Sequence, residues 1–358
     1  GYRSNSLEGY FGEYFYSPVY VLEHLKQATN KKLVIILNEK DVRAEHAEAL
    51  LTPIKGVVDM VRLAIDPENF SRALSLAEAV KHLGFELGFN VMYMSRWKEK
   101  TNFLNLLSEI DGLADYFYLV DSYGGVFPED VRATIKMIRE KTLCKLGFHG
   151  HNNLELGLIN TLTAIEEGAA MVDATITGMG RGAGNCKMEL LLTALSGKGM
   201  FNINFNALTQ VTDAFATLQQ EYGWGTSLPY MVSGANSLPQ KEVMEWVGKR
   251  FYSYNSIIRA LNNRAANITD NVRLKSYKPD NNIKEIMIVG GGPSVGMHQA
   301  GINQFLKKKP NILLIHASSR NVPFFKEHNR SQIHCLSGNE GYRLEHVYKQ
   351  LNANHRMA

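Results

Sequence analysis

Two histidines placed two residues apart give this chain its most specific chemistry. In Gly147-Phe-His-Gly-His-Asn-Asn153, His149 and His151 stand at i and i+2, and such residues share one face of a strand. Two neutral imidazoles on one rigid strand are half of a divalent-metal site that lacks only oxygen ligands. The alternative is a pair of hydrogen-bonded polar histidines at a strand end. Gly147 and Gly150 are expected to leave space around the rings. The next apolar segment, Val172-Asp-Ala-Thr-Ile-Thr177, alternates Asp173, Thr175 and Thr177 with Ala174 and Ile176. It runs into Gly178-Met-Gly-Arg-Gly-Ala-Gly-Asn185, where four glycines in seven residues let backbone amides approach a ligand closely. Arg181 in this loop offers a planar fork to a carboxylate; the other reading is a solvated arginine on a flexible loop.

Such residues need elements to hold them. Short apolar runs at 33–37, 57–65, 85–94, 116–120, 144–149 and 171–177 read as strands, and helical periods fall between them at 18–28, 70–83, 128–141 and 154–167. Pro128-Glu129-Asp130 suits a helix start, and Gly84 and Gly168 suit helix ends. Alternating strands and helices predict a parallel sheet, either barrel or doubly wound. Polar residues collect after nearly every strand: Asp66, Asn90, Asp121-Ser122, His149, His151 and Thr177. A (β/α)-barrel builds its site from many strand ends, whereas a doubly wound sheet uses one switch point, so the barrel is expected over residues 1–200. Residues 201–262 read as a helical extension, including 208–221 and Gln240–Lys249, around Tyr222-Gly-Trp-Gly-Thr-Ser-Leu-Pro-Tyr230. A polar linker is expected at 263–282, then a partial Rossmann-like α/β unit at 283–358 with strands Glu285–Val289, 312–315 and 332–336.

Composition narrows the setting. With 358 residues and 45% hydrophobic content, the chain can bury a large core in more than one domain. A net charge of +4 with interspersed signs argues against nucleic acid as partner, and Lys307-Lys308-Lys309 reads as the end of a solvated helix. Three dispersed cysteines (Cys144, Cys186 and Cys335) support neither a disulfide framework nor a zinc ribbon, so a reducing cytoplasm is expected. No apolar run reaches the roughly 18–20 residues of a membrane span. The chain starts without Met, and the true start of the protein is expected to lie upstream.

The motifs around 147–153, 154–168 and 172–185, with Asp121-Ser-Tyr-Gly-Gly125 and Pro128-Glu-Asp130, resemble the metal-dependent aldolase and lyase barrels. That family includes 4-hydroxy-2-oxovalerate aldolase and its relatives 3-hydroxy-3-methylglutaryl-CoA lyase and isopropylmalate synthase. The resemblance implies that His149 and His151 bind a divalent ion, Mn²⁺ or Mg²⁺, with Asn185 as a further ligand. It implies a small 2-oxo acid substrate and aldol chemistry through a metal-stabilised pyruvate enolate. The family's first strand ends in Arg-Asp-Gly, which this chain lacks; strand counting makes Gly1-Tyr-Arg-Ser4 the tail of a second strand and the first strand absent. Arg3, meeting a substrate carboxylate or else solvated at the terminus, and Asp121, positioning a water or ligand or else capping the following turn, are then candidate catalytic groups beside Arg181. Arg62 is expected inside the barrel, paired with an acid. Tyr123, Tyr222 and Tyr230 are packed aromatics or proton donors, and Cys186 is incidental. An acyl-CoA lyase or synthase and a non-catalytic binding barrel are the rival readings, and the helical region reads either as a lid over the barrel mouth or as the contact of a homo-oligomer.

In the second unit, Gly290-Gly-Gly-Pro-Ser294 follows a strand. It reads as a phosphate-cradling turn through Gly290, Gly291, Gly292 and Ser294, or as a tight turn without ligand, lacking the full dinucleotide fingerprint.

Overall fold

Six parallel strands make the sheet that carries the histidine motif. They are β1 (Val34–Asn38), β2 (Met60–Ile65), β3 (Glu86–Val91), β4 (Tyr116–Asp121), β5 (Lys145–Gly150) and β6 (Met171–Val172), paired in that order. A bridge from Tyr2 to Ile36 extends the sheet beyond β1, and no strand among the described residues joins β6 back to it. This computed structural model describes residues 1–5, 10–250, 252–268, 278, 282–335 and 355–357. The fold is of the α/β-barrel type. Two units separate, Gly1–Gln240 and Lys241–Ala358.

Strand alternation sorts the side chains. Ile35, Leu37, Val61, Leu63, Leu87, Phe89, Phe117, Leu119, Leu146 and Phe148 face outward into one core with helix residues such as Ala47, Ala73, Val80, Ile135 and Ala164. Inward-facing Met60, Tyr118 and Val120 form a second cluster with Tyr116 and Met171. Burial on both faces makes the strands read as continuous apolar runs. The helix Pro128–Arg139 shows the covering layer. Pro stands in its first turn, the Asp130 carboxylate accepts the Phe127 N–H at 3.1 Å, and Val131, Thr134, Ile135 and Ile138 are buried. These positions, at i, i+3, i+4 and i+7, make one helical stripe. The helix at Gly157–Glu166 begins three residues later than its period suggests. Glu155 adopts a left-handed conformation (φ 61°), and Asn152 Oδ1 accepts the Gly157 N–H at 3.1 Å.

The largest departure from expectation lies at β6, which ends at Val172 rather than continuing to 177. Residues 185–187 lie between the ends of β5 and the 173–177 segment: Cys186 N–H donates to Gly150 O, and Thr175 N–H to Cys186 O. Asp173 N–H still donates to Phe148 O of β5, and at Thr175 the chain pairs with its own return segment. Gly184 makes the return possible. It has φ 79°, and a Cβ there would lie 2.2 Å from Gly178 O.

Residues 201–240 belong with the first unit. Trp224 Nε1 donates to Thr177 O at 3.1 Å, Thr226 Oγ1 to Asn153 O at 2.9 Å, and Asn153 Nδ2 to Tyr230 O at 3.0 Å. The 18-residue helix Phe205–Tyr222 buries no residue fully.

The second unit holds a four-stranded parallel sheet in the order β10-β9-β8-β7. Its strands are β7 (Glu285–Val289), β8 (Ile312–His316), β9 (Gln332–His334) and β10 (His355–Met357). The sequence suggested three strands; His355–Met357 has no apolar run to mark the fourth. Val289, Leu306, Ile312, Leu314 and Phe325 form its core. The helix Tyr254–Ala265 occupies the start of the expected linker, and residues 269–277 and 279–281 of that linker lie outside the described ones. No helix among the described residues is long and apolar enough to cross a membrane.

Candidate metal centre

β5 carries Gly147 and His149 on its inward face, opposite Tyr118 and Val120 of β4. The imidazoles of His149 and His151 lie 4.9 Å apart between ring centres, inclined at 78°. Each Nδ1 meets an acceptor that cannot donate. His149 Nδ1 lies 2.8 Å from Asp173 Oδ2, and His151 Nδ1 lies 2.7 Å from the main-chain oxygen of Asp121. Each Nδ1 therefore carries a proton, and Nε2 is the nitrogen of each ring left to hold a lone pair. Burial drives the His151 imidazolium down to about 3, aided by neighbouring His149 and Arg181 and opposed by the Asp121 carbonyl. An imidazole that can offer Nε2 is what a divalent ion requires, and with both Nδ1 atoms engaged by acceptors the pair fits one. Among the described residues, no group of three His, Cys, Asp or Glu side chains converges as a metal cluster.

Asn185 lies next to the pair. It bridges His151 through the backbone, and its Nδ2 donates to Met179 O at 2.9 Å, leaving Oδ1 as the amide's acceptor. Arg181 is exposed on the glycine loop, close enough for its charge to act on His151 and Tyr93. Tyr93, just beyond β3, is left-handed at φ 61°. Its N–H donates to Ser122 Oγ at 2.8 Å, and its ring lies 5.3 Å from that of Tyr123.

Asp173 belongs to this group although the sequence reading, which placed it inward, gave it no role. Its carboxylate receives both arms of the Arg62 fork, at 2.9 and 2.7 Å, as well as His149. Burial alone would raise the Asp173 carboxyl; hydrogen bonds and charge from His149 and Arg62 hold it below the ordinary carboxylate range instead. Arg62 thus lies inside the barrel, paired with an acid. The signal was the alternation of Asp173 with Ala174, which puts it on the histidine side.

Two expected catalytic groups lie elsewhere. Asp121 has the parity of Phe117 and Leu119, so its side chain leaves the inner face and caps the following turn, accepting from Gly125 and Val126 N–H at 3.3 Å each. Burial pushes it up to about 6 against these loop amides. Arg3 follows Tyr2, which pairs with inward-facing Ile36, so it points outward; its guanidinium donates to Leu50 O and Ser17 O. The glycines of the motif make space for other groups than the imidazoles. A Cβ on Gly147 would come within 2.5 Å of the Tyr118 ring, and one on Gly150 within 2.9 Å of Phe148. Tyr123 and Tyr230 are buried and Tyr222 is exposed; Cys186 is fully buried.

In the second unit, Gly290, Gly291 and Gly292 keep ordinary backbone angles, since none has positive φ. Asn321 Nδ2 bridges Gly290 O and Gly292 O at 2.7 and 3.0 Å, and Ser318 closes on Gly291. Ser294 starts a helix of four residues. The turn is braced by protein side chains.

The chain has relatives among known proteins. The family model described as HMGL-like matches residues 50–215. The chain is 38% identical over 190 residues to 4-hydroxy-2-oxovalerate aldolase of Bacillus cereus, covering 50% of this chain and 55% of that protein. It thus spans about half the length of the curated relatives it matches. A solved structure of the N-terminal domain of a putative aldolase from Bacteroides vulgatus is 55% identical, with a TM-score of 0.69, covering 73% of this chain and 86% of that one. The carboxyl transferase domain of Rhizobium etli pyruvate carboxylase shares the fold at 18% identity, with a TM-score of 0.53, covering 64% of this chain and 43% of that one.

Proposed function

Because the chain belongs to the HMGL-like family, we propose that it makes or breaks the C3–C4 bond of a 4-hydroxy-2-oxo acid with the help of a divalent ion, Mn²⁺ or Mg²⁺. One observation carries the reading: two imidazoles 4.9 Å apart whose Nδ1 atoms both face oxygens that can only accept, so that Nε2 of each ring is the nitrogen left for an ion. The similarity to 4-hydroxy-2-oxovalerate aldolase supports the substrate class. His149 and His151 would hold the ion through Nε2, and the amide oxygen of Asn185 would join them. Bound there, the ion would supply Lewis acidity to the 2-oxo group. Arg181 and the amides of the 178–185 loop would receive the substrate carboxylate, the guanidinium through its fork. This reading keeps the cytoplasm as location, supported by three unpaired thiols.

Titration calorimetry with Mn²⁺, on this chain and on its His149→Ala variant, tests the reading. Saturable binding that the variant loses is the expected result, followed by turnover of 4-hydroxy-2-oxo acids to pyruvate. If neither protein binds Mn²⁺, the metal reading fails.

A further inference from the structure

The Asp173 carboxylate is met by three donors. Arg62 Nη1 donates to Oδ1 at 2.9 Å, Arg62 Nη2 to Oδ2 at 2.7 Å, and His149 Nδ1 to the same Oδ2 at 2.8 Å. A guanidinium only donates, so both carboxylate oxygens are committed. Arg62 is fixed in turn. Its Nε donates to Asn90 Oδ1 at 2.7 Å, and its Cζ lies 3.7 Å from the centre of the Tyr118 ring. That ring occupies the space that Gly147 leaves beside it. The group therefore spans from β2 to the end of β6 across the inside of the sheet, and Asp173 cannot turn without leaving an arginine donor unmatched.

We propose that Asp173 and Arg62 are a positioning pair that locks His149 in its Nδ1–H tautomer and so keeps Nε2 available to a metal ion. This rests on the metal reading of the site. An oriented carboxylate behind a ligating histidine sets both ring angle and tautomer. The arginine adds a second constraint: by occupying both oxygens, it holds Asp173 behind the imidazole and out of the ion's own coordination shell. His151 has no such pair, because its Nδ1 is held by a main-chain carbonyl.

An isosteric amide exposes the logic. Asparagine at 173 offers one oxygen and one NH₂ group. With NH₂ in place of Oδ2, a donor faces both Arg62 Nη2 and His149 Nδ1. The imidazole then relieves the clash by carrying its proton on Nε2, the nitrogen an ion needs. With NH₂ in place of Oδ1, it opposes Arg62 Nη1 and the fork opens. Both arrangements loosen His149 and neither touches His151.

The test is ¹⁵N spectroscopy of the histidine-labelled, metal-free chain, with the two rings assigned through His149→Gln and His151→Gln, alongside Mn²⁺ titration. In the unaltered chain both rings should carry their protons on Nδ1. In Asp173→Asn, His149 should shift toward the Nε2–H form while His151 stays unchanged, and Mn²⁺ affinity should fall by about 10- to 100-fold. Arg62→Lys keeps the charge without the fork; the His149 tautomer should persist and affinity should fall by up to about 10-fold. Circular dichroism melts identify any variant that merely fails to fold, in which case the unaltered chain and Arg62→Lys decide. The proposal is overturned if His149 of the unaltered chain carries its proton on Nε2, or if Asp173→Asn binds Mn²⁺ as tightly as the unaltered chain. Absence of Mn²⁺ binding by the unaltered chain, with His149 still on Nδ1–H, would fell the metal reading alone.

Discussion

Asp121 serves its surroundings with two different atoms, and a substitution separates them. Its carboxylate caps the 122–126 turn, while its carbonyl orients His151. Burial pushes the carboxyl up to about 6. An acid whose folded pKa lies above its unfolded one binds its proton better in the native state. It therefore costs stability as pH rises from about 4 to 6, on the order of 3 kcal/mol for a shift of this size. Asp121→Asn removes that slope. Urea denaturation of both proteins across pH 4–7 should show the variant gaining on the parent by about that amount; a constant difference would mean that Asp121 titrates normally. Strand parity made the inward faces of His149 and Asp173 legible in the sequence. The same parity, applied from Tyr118 and Val120, would have turned Asp121 outward, and from Ile36 it would have turned Arg3 outward. The Arg62–Asp173 pair was legible only as an arginine needing some acid, because partners 111 positions apart are joined by the sheet and not by spacing.

At the scale of elements, strands were legible wherever burial on both faces made an apolar run. The end of β6 was not. Residues 173–177 have strand composition, yet only Asp173 N–H still donates to β5, at Phe148 O, while Thr175 N–H turns to Cys186 O of the return segment, and that competition depends on the glycine turn between them. The same return segment brings Asn185 beside His151. The helix Phe205–Tyr222 raises a different question. Half-buried Leu208, Thr212, Phe215 and Gln219 mark its inner side. Val211, Leu218 and Tyr222, at i, i+7 and i+11, are 42%, 38% and 71% exposed on another face. An apolar stripe of this kind supports self-association of the chain. We predict that the chain sediments as a dimer or larger and that the double substitution Val211→Lys with Leu218→Lys shifts it to monomer. A parent protein that is already monomeric would remove this role for the stripe.

At the scale of the molecule, the boundary after Gln240 has a practical meaning. Residues 201–240 contribute Trp224, Thr226 and Tyr230 to the loops around Thr177 and Asn153. A chain ending at Gln240 should bind Mn²⁺ as the longer chain does. One ending at residue 200 should bind more weakly or aggregate. Equal binding by both would show that the extension is dispensable to the site. The composition shift near 201 was visible in the sequence; the bonds returning from that segment to the barrel loops were not, because they run between main-chain groups and side chains that pattern does not single out.

The two histidines are oriented by different kinds of partner, and heredity treats these differently. The hold on His149 is a side chain, Asp173, so one codon change can erase it. The hold on His151 is the peptide carbonyl of residue 121, which every amino acid supplies. Under mutational drift one half of the pair should therefore wear away long before the other. A descendant that abandoned the chemistry would be expected to keep His151 in its pose as a relic, with His149 already free to turn.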